Sequence, residues 1–393
     1  MQRRESTLDM VPEDHILHEN PVDMEEEEAE EETEWDLEER GLYPGSYRRI
    51  VALYTFVPLV SLVVLVFLAA CPSLFWPTRA GVPQKNAPYF PFPIPQVVLS
   101  AALWSFGYLL RAPTYSVVSF VLQKLHPIFA TLLFNAVYVF IYNILRLSSL
   151  PILRVREAMK YGYPSCHDGI FRTVWWLAFG WATIDVSVSI VQSYAQIDLY
   201  RSVMVPQERV ADILAEGSET PQLLSASQEI LPLSPRHESP KDGEDNSAIN
   251  PVDEAIRLAV DQDLEQLVNL KEREDVEEIY GLPVIKIPVF VSCLQRTASI
   301  LLSMGVTLTL FAAYLRSNLS KPISNSSTTD SMASNDRPFL ITFPLILLLN
   351  LFLHLVHTPL ILPRVGVHSA AYVSFLLGLG IFFTGLGMWG ALS

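Results

Sequence analysis

Seven stretches of this chain stay apolar for about 20 residues, the length at which a helix crosses a hydrocarbon core of ~30 Å. They lie at 50–70, 97–122, 128–147, 172–197, 297–315, 339–362 and 370–392. Peptide groups in hydrocarbon find no water to bond, so a single run of this kind must satisfy its backbone internally, as a helix. The sequence therefore predicts an all-α, polytopic helical membrane protein with about seven transmembrane helices, six to eight depending on the second run. That run contains Arg111 and Pro113. Its halves are too short to cross separately, so it reads as one long helix, tilted or kinked at the proline. The fourth run opens with Trp175 and Trp176 at interface depth, and in the last run Gly378 and Gly385, like Gly380 and Gly387, recur seven apart, small residues on one face that allow close helix packing.

The charge is sorted to match. Net charge is −15 although half of the residues are hydrophobic. Residues 1–46 hold 17 acids and 3 bases, and residues 198–283 hold 20 acids and 7 bases. The rest of the chain keeps only 5 acids (42 − 37) against 17 bases (27 − 10), about +12, and holds all the apolar runs. Acid goes to solvated segments and base to the flanks of hydrophobic ones, as lipid as solvent requires. The acidic segments argue against nucleic acid as a partner.

Four regions follow: a disordered acidic cytosolic tail (1–46), spans one to four (47–197), a long acidic cytosolic linker (198–283) and spans five to seven (284–393). The tail carries Glu25–Glu28 and Glu30–Glu32, too dense a block of like charge to fold. The first apolar run sits behind that tail and is expected to act as an uncleaved signal-anchor. Within the linker, 207–250 is rich in Ser, Pro and Glu and reads as disordered. Residues 252–279 place Ile256, Val260, Leu264, Leu267 and Val268 on one stripe, an amphipathic helix lying on the membrane or the bundle. Expected partners are membrane lipids and cytosolic proteins that meet the tail and linker; oligomeric state is left open.

Basic residues decide orientation poorly, because they fall almost evenly on the two sides. Two motif sets do better. Asn318 and Asn325 are each followed by the Asn-x-Ser pattern of a glycosylation acceptor, which suggests a lumenal loop. Ser234 and Ser239 precede prolines and resemble phosphorylation sites, which suggests a cytosolic linker. Seven spans with the N-terminus cytosolic satisfy both, and that arrangement places the C-terminus in the lumen. Glu219, Leu223 and Leu224 form an acidic dileucine pattern of the kind that sorting adaptors read. The expected location is the endoplasmic reticulum or another endomembrane, Golgi or vacuole. Cys71 and Cys166 then share the lumenal side, where a disulfide is chemically permitted, and Cys293 lies at the cytosolic face, where acylation is.

Asp185 is the one acid inside an apolar run, and Arg111 reads as the one base in the interior of a run. A lone charge at the bilayer centre costs at least ~2.5–3.5 kcal/mol, so such residues pair, face water or act. Their depths match, which predicts an Arg111–Asp185 ion pair between the second and fourth spans. Asn135, Asn350 and His354 sit at comparable depths, and His354 follows Asn350 by four residues on one helix face. Together the five would form a midplane polar site. The structural alternative is a set of interhelical bonds that fixes packing. Arg146, Arg154, Arg156 and Lys160 trail the third run and read as a helix-end anchor or a headgroup contact. The sequence has no phosphate loop, nucleophile elbow or zinc helix, and no metal or cofactor is expected. Two functions stay open. One is a transporter-like or lipid-handling protein using the midplane cluster; the other is a non-catalytic adaptor or trafficking factor using tail, linker and amphipathic helix. An intramembrane enzyme ranks third.

Overall fold

Every apolar run becomes helix in the structure, a computed structural model that describes residues 35–38, 40–75, 93–122, 126–159, 163–219, 251–320 and 336–392. Helices α1 (Tyr47–Tyr54) and α2 (Phe56–Phe75) form the first crossing. Helices α3 (Ile94–Leu109) and α4 (Arg111–Val121) follow, then α5 (Pro127–Ile152) and α6 (Gly169–Asp198). After α7 (Gln207–Glu219) and α8 (Pro251–Tyr280) come α9 (Val289–Arg316), α10 (Arg337–Val356), the one-turn α11 (Leu362–Val365) and α12 (Val367–Met388). Six helical stretches among the described residues are long and apolar enough to cross a membrane. The protein is all-α and polytopic.

The starts are chemically marked. His126 Nδ1 accepts from the Ile128 N–H at 3.4 Å, with Pro127 in the first turn of α5. Asp168 Oδ1 accepts from the Ile170 N–H at 3.5 Å to cap α6. Both devices use donors that a helix start leaves unbonded. The expected second span is present as two helices, α3 and α4, neither long enough alone. Leu110 between them keeps α geometry (φ −70°, ψ −11°), and its carbonyl accepts from Thr114 N at 3.0 Å. Pro113 has no N–H to give to Leu109, so one rung is missing at the joint.

Contacts divide the chain into two units, Met1–Arg49 with Arg201–Ser247 and Ile50–Tyr200 with Ala248–Ser393. In the first, β1 (Tyr43–Pro44) pairs in parallel with β2 (Met204–Val205). Leu37 and Tyr43 are buried, and Arg40 Nη1 donates to the Ile213 carbonyl at 3.3 Å. The expected tail thus gives up its last residues to order, because apolar side chains interrupt the acids there. Likewise α7 replaces the start of the expected disordered stretch, where Val210, Ile213 and Leu214 recur at helical spacing.

In the second unit α9 is the central helix, with most of its residues from Ala298 onward buried, and it packs against α12, α6, α2 and α10. Glycine sets the α9–α12 seam. A Cβ on Gly305 would stand 2.5 Å from the Phe382 nitrogen, and one on Gly385 would stand 2.9 Å from Leu308 Cβ. Of the two glycine pairs spaced by seven, Gly378 and Gly385 line this seam; Gly380 has nothing near it, and Gly387 meets only a flexible leucine tip. Small residues let backbones approach in this way where lipid supplies no hydrophobic drive. The outer faces are apolar and exposed, as at Leu62, Val66, Phe67, Leu340, Leu345 and Leu348, the inverse of a water-soluble fold.

Trp175 corrects an expectation. It and Trp176 read as interfacial anchors, but Trp175 is fully buried and donates through Nε1 to the Leu68 carbonyl at 3.0 Å. Next to it, Trp389 Nε1 donates to the Leu308 carbonyl at 3.0 Å, and Arg156 Nη1 to the Leu315 carbonyl at 2.9 Å, closing the end of α9. Among the described residues, helix α8 is anchored at its C-terminal end. There the Tyr200 hydroxyl donates to Glu277 at 2.9 Å, and Gly281 (φ +73°) ends the helix against Pro363. Its stripe residues Val260, Leu264, Leu267 and Val268 are exposed.

Candidate functional site: a polar cavity inside the bundle

Helices α3 to α6 and α9 and α10 surround a cavity of about 920 Å³. On α5 the lining residues recur as Thr131, Asn135, Tyr138, Tyr142 and Arg146, one stripe over four turns. At 1.5 Å per residue that stripe is about 22 Å long. The α3–α4 pair supplies Trp104, Tyr108, Arg111 and Tyr115. Facing them are Asp185 and Gln192 from α6, Ser299 and Ser303 from α9, and Asn350 and His354 from α10.

The two ends differ. At one end Tyr115 and Gln192 are exposed and His357, Thr358 and Pro359 form the wall. At the other, Asn143 is 0% exposed, Val306 1% and Arg146 5%. The cavity is thus open where α4 and α5 meet and blind at Arg146.

All five residues expected at the midplane, Arg111, Asp185, Asn135, Asn350 and His354, line this one cavity. The expected ion pair is absent: the structure has no Arg111–Asp185 salt bridge. Asp185 is satisfied otherwise, Oδ1 accepting from Trp104 Nε1 at 3.1 Å and Oδ2 from the Ser299 hydroxyl at 2.7 Å. Arg111 lies past the Leu110 joint and is exposed toward the open end. Equal depth brought both to one cavity, but depth does not fix which way a side chain turns. Asn350 Nδ2 donates to Asn143 Oδ1 at 3.3 Å, and the His354 ring meets Tyr138 edge-on at 6.1 Å.

The residue the sequence reading misplaced is Arg146. With the third run ended at 147 it read as a terminal anchor, whereas α5 continues to Ile152 and carries Arg146 inside. The available signal was the apolar sequence beyond it, Leu147, Leu150 and Ile152. Its guanidinium carbon lies 4.8 Å from the Trp181 ring centroid and 5.5 Å from that of Tyr142. Nη2 donates to the Ser303 hydroxyl at 3.4 Å, and Nε is buried without a partner. Trp181 Nε1 donates to the Tyr142 hydroxyl at 3.0 Å, which fixes both rings.

Other expected sites fare as follows. Cys71 and Cys166 are buried free thiols, and Cys166 Sγ donates to the Gly390 carbonyl at 3.3 Å. Asn318 follows α9 in a short 3-10 turn, where the Ser320 hydroxyl donates to the Ser317 carbonyl at 2.8 Å. Glu219 ends α7; Ser234, Ser239, Leu223, Leu224, Asn325 and Lys160 lie outside the described residues. Among the described residues no group of His, Cys, Asp and Glu is arranged to hold a metal ion. Comparison with protein-family models, with curated proteins and with solved structures finds no match to this chain.

Proposed function

We propose that this multi-pass membrane protein is transporter-like and holds its substrate in the cavity. The carrying observation is a space of about 920 Å³, lined by charged and amide side chains, inside helices whose outer faces are apolar. The volume lies within the range of small-molecule sites. Retaining Arg111, Arg146 and Asp185 in such a place is costly, and one interior site would account for all three. The glycosylation and dileucine patterns favour an endomembrane location, with the N-terminus cytosolic.

Cysteine accessibility tests the reading. In a chain with the three native cysteines replaced, Asn135→Cys and Ser189→Cys are expected to react with a membrane-impermeant thiosulfonate added to either face of sealed vesicles. Leu345→Cys, on the outer face, serves as the unreactive control. Reaction from only one face, or from neither, overturns transport.

A second reading has its own observation. Leu258, Leu264 and Leu267 leave an apolar stripe of α8 exposed, as suits an adaptor. Under that reading Asp185→Asn is harmless and deletion of 220–270 is not; under transport the order reverses.

A further inference from the structure

We infer that the ligand of this cavity is an amphiphilic monocarboxylate, its head on Arg146 at the blind end and its apolar body along the aromatic wall; the inference rests on the cavity being a binding site. Arg146 is 5% exposed, yet its guanidinium is underused. Of its five N–H donors, one reaches Ser303 at 3.4 Å, a long bond, one is within reach of the Tyr142 hydroxyl, and the Nε–H has no acceptor. Asp185 forms no salt bridge with it: both its oxygens are engaged by Trp104 and Ser299, and it acts on the guanidinium only through space. The Trp181 and Tyr142 rings lie against the guanidinium, and the N–H groups that no side chain takes are left to a ligand. A planar fork of this kind matches a carboxylate through two parallel hydrogen bonds.

Charge selects within the anions. Counting the histidines as neutral, the lining carries Arg111 and Arg146 against Asp185, a formal excess of one positive charge. One carboxylate cancels it, whereas a dianionic phosphate leaves a net negative charge enclosed. The body of the ligand meets rings along α3 and α5, Trp104, Tyr138 and Tyr142, which favour apolar and aromatic groups. Arg111, near the open end, adds an attractive potential on the way in.

The test uses the full chain in nanodiscs and three probes of similar shape: 4-phenylbutyrate, its neutral amide and the cationic 4-phenylbutylamine. Calorimetric titration is expected to show the acid binding at least about tenfold more tightly than the amide, with no amine binding. Arg146→Gln is expected to cost the acid at least about tenfold more affinity than it costs the amide, so that the preference disappears, and Arg146→Lys restores part of it. Should Arg146→Gln fail to fold, the acid-to-amide ratio in the unaltered protein still decides. A ratio near one, or tighter binding of the amine, overturns the inference. Ala112→Trp, which obstructs the cavity, separates the two levels of the claim. If the unaltered protein binds acid and amide alike and Ala112→Trp abolishes both, the cavity is a site but not one for anions. If no probe binds, or Ala112→Trp changes nothing, the inference and the proposed function fall together.

Discussion

Replacing Gly305 by alanine adds one methyl group where, among the described glycines, the neighbouring backbone comes nearest. That methyl would stand 2.5 Å from the Phe382 nitrogen and 2.7 Å from both the Ile381 carbonyl carbon and Phe382 Cα. All three are backbone atoms, so no side chain can swing aside. Restoring a normal separation of ~3.5 Å requires α12 to withdraw by about 1 Å. A gap of that size forfeits a quarter to a half of each dispersion contact along the seam. Overpacking of this kind costs ~1–3 kcal/mol, and it must also exceed the gain of up to ~1 kcal/mol from alanine's better helix propensity. Gly380→Ala isolates that gain, because nothing lies within 4 Å of its added methyl. Measured by SDS-driven unfolding in mixed micelles, Gly305→Ala is expected to fall ~2 kcal/mol below Gly380→Ala, more than tenfold in the equilibrium constant. Equal stability of the two variants would refute the backbone-contact account of the seam.

Three further outcomes are expected. Tyr200→Phe leaves Glu277 and the Val284 N–H without their shared hydroxyl, a loss of ~1–3 kcal/mol, and should speed proteolytic cleavage within 251–283; an unchanged rate counts against this anchor. Arg156→Gln removes the charged donor from the Leu315 carbonyl and should lower stability in the same SDS assay by ~1 kcal/mol, with Arg156→Lys recovering some of it; no difference would mean that the end of α9 is held without it. Alkylation of the denatured, unreduced protein should modify Cys71, Cys166 and Cys293 alike, and a mass two alkyl groups short would show that Cys71 and Cys166 are bridged.

The crossings were legible because hydrocarbon imposes one simple demand on backbone, and that demand shows as run length. Local chemistry was legible too where it is periodic: Gly378 and Gly385 announced a packing face, although spacing alone could not say that Gly380 and Gly387 would miss it. Convergence was only half visible. Depth counting gathered Arg111, Asp185, Asn135, Asn350 and His354 at one level, and the structure puts all five on one cavity. It could not tell that Asp185 would turn to Trp104 and Ser299, since direction about a helix axis depends on neighbours far away in sequence. Arg146 was lost to a boundary error, because a charge near the end of an apolar run looks like its terminus when cation–π partners on another helix are unknown. Trp175 was mistaken for the same reason in reverse, its indole partner, the Leu68 carbonyl, being 107 residues away.

The joint at Leu110 has a mechanical consequence. Helices α9 and α12 meet backbone to backbone, so sliding one past the other by a single residue, about 1.5 Å, would drive main chain into main chain. The α3–α4 pair meets the cavity through side chains, and Pro113 has already removed a rung from its ladder. A bend at residues 109–113 therefore costs less main-chain contact than any shift along the α9–α12 seam.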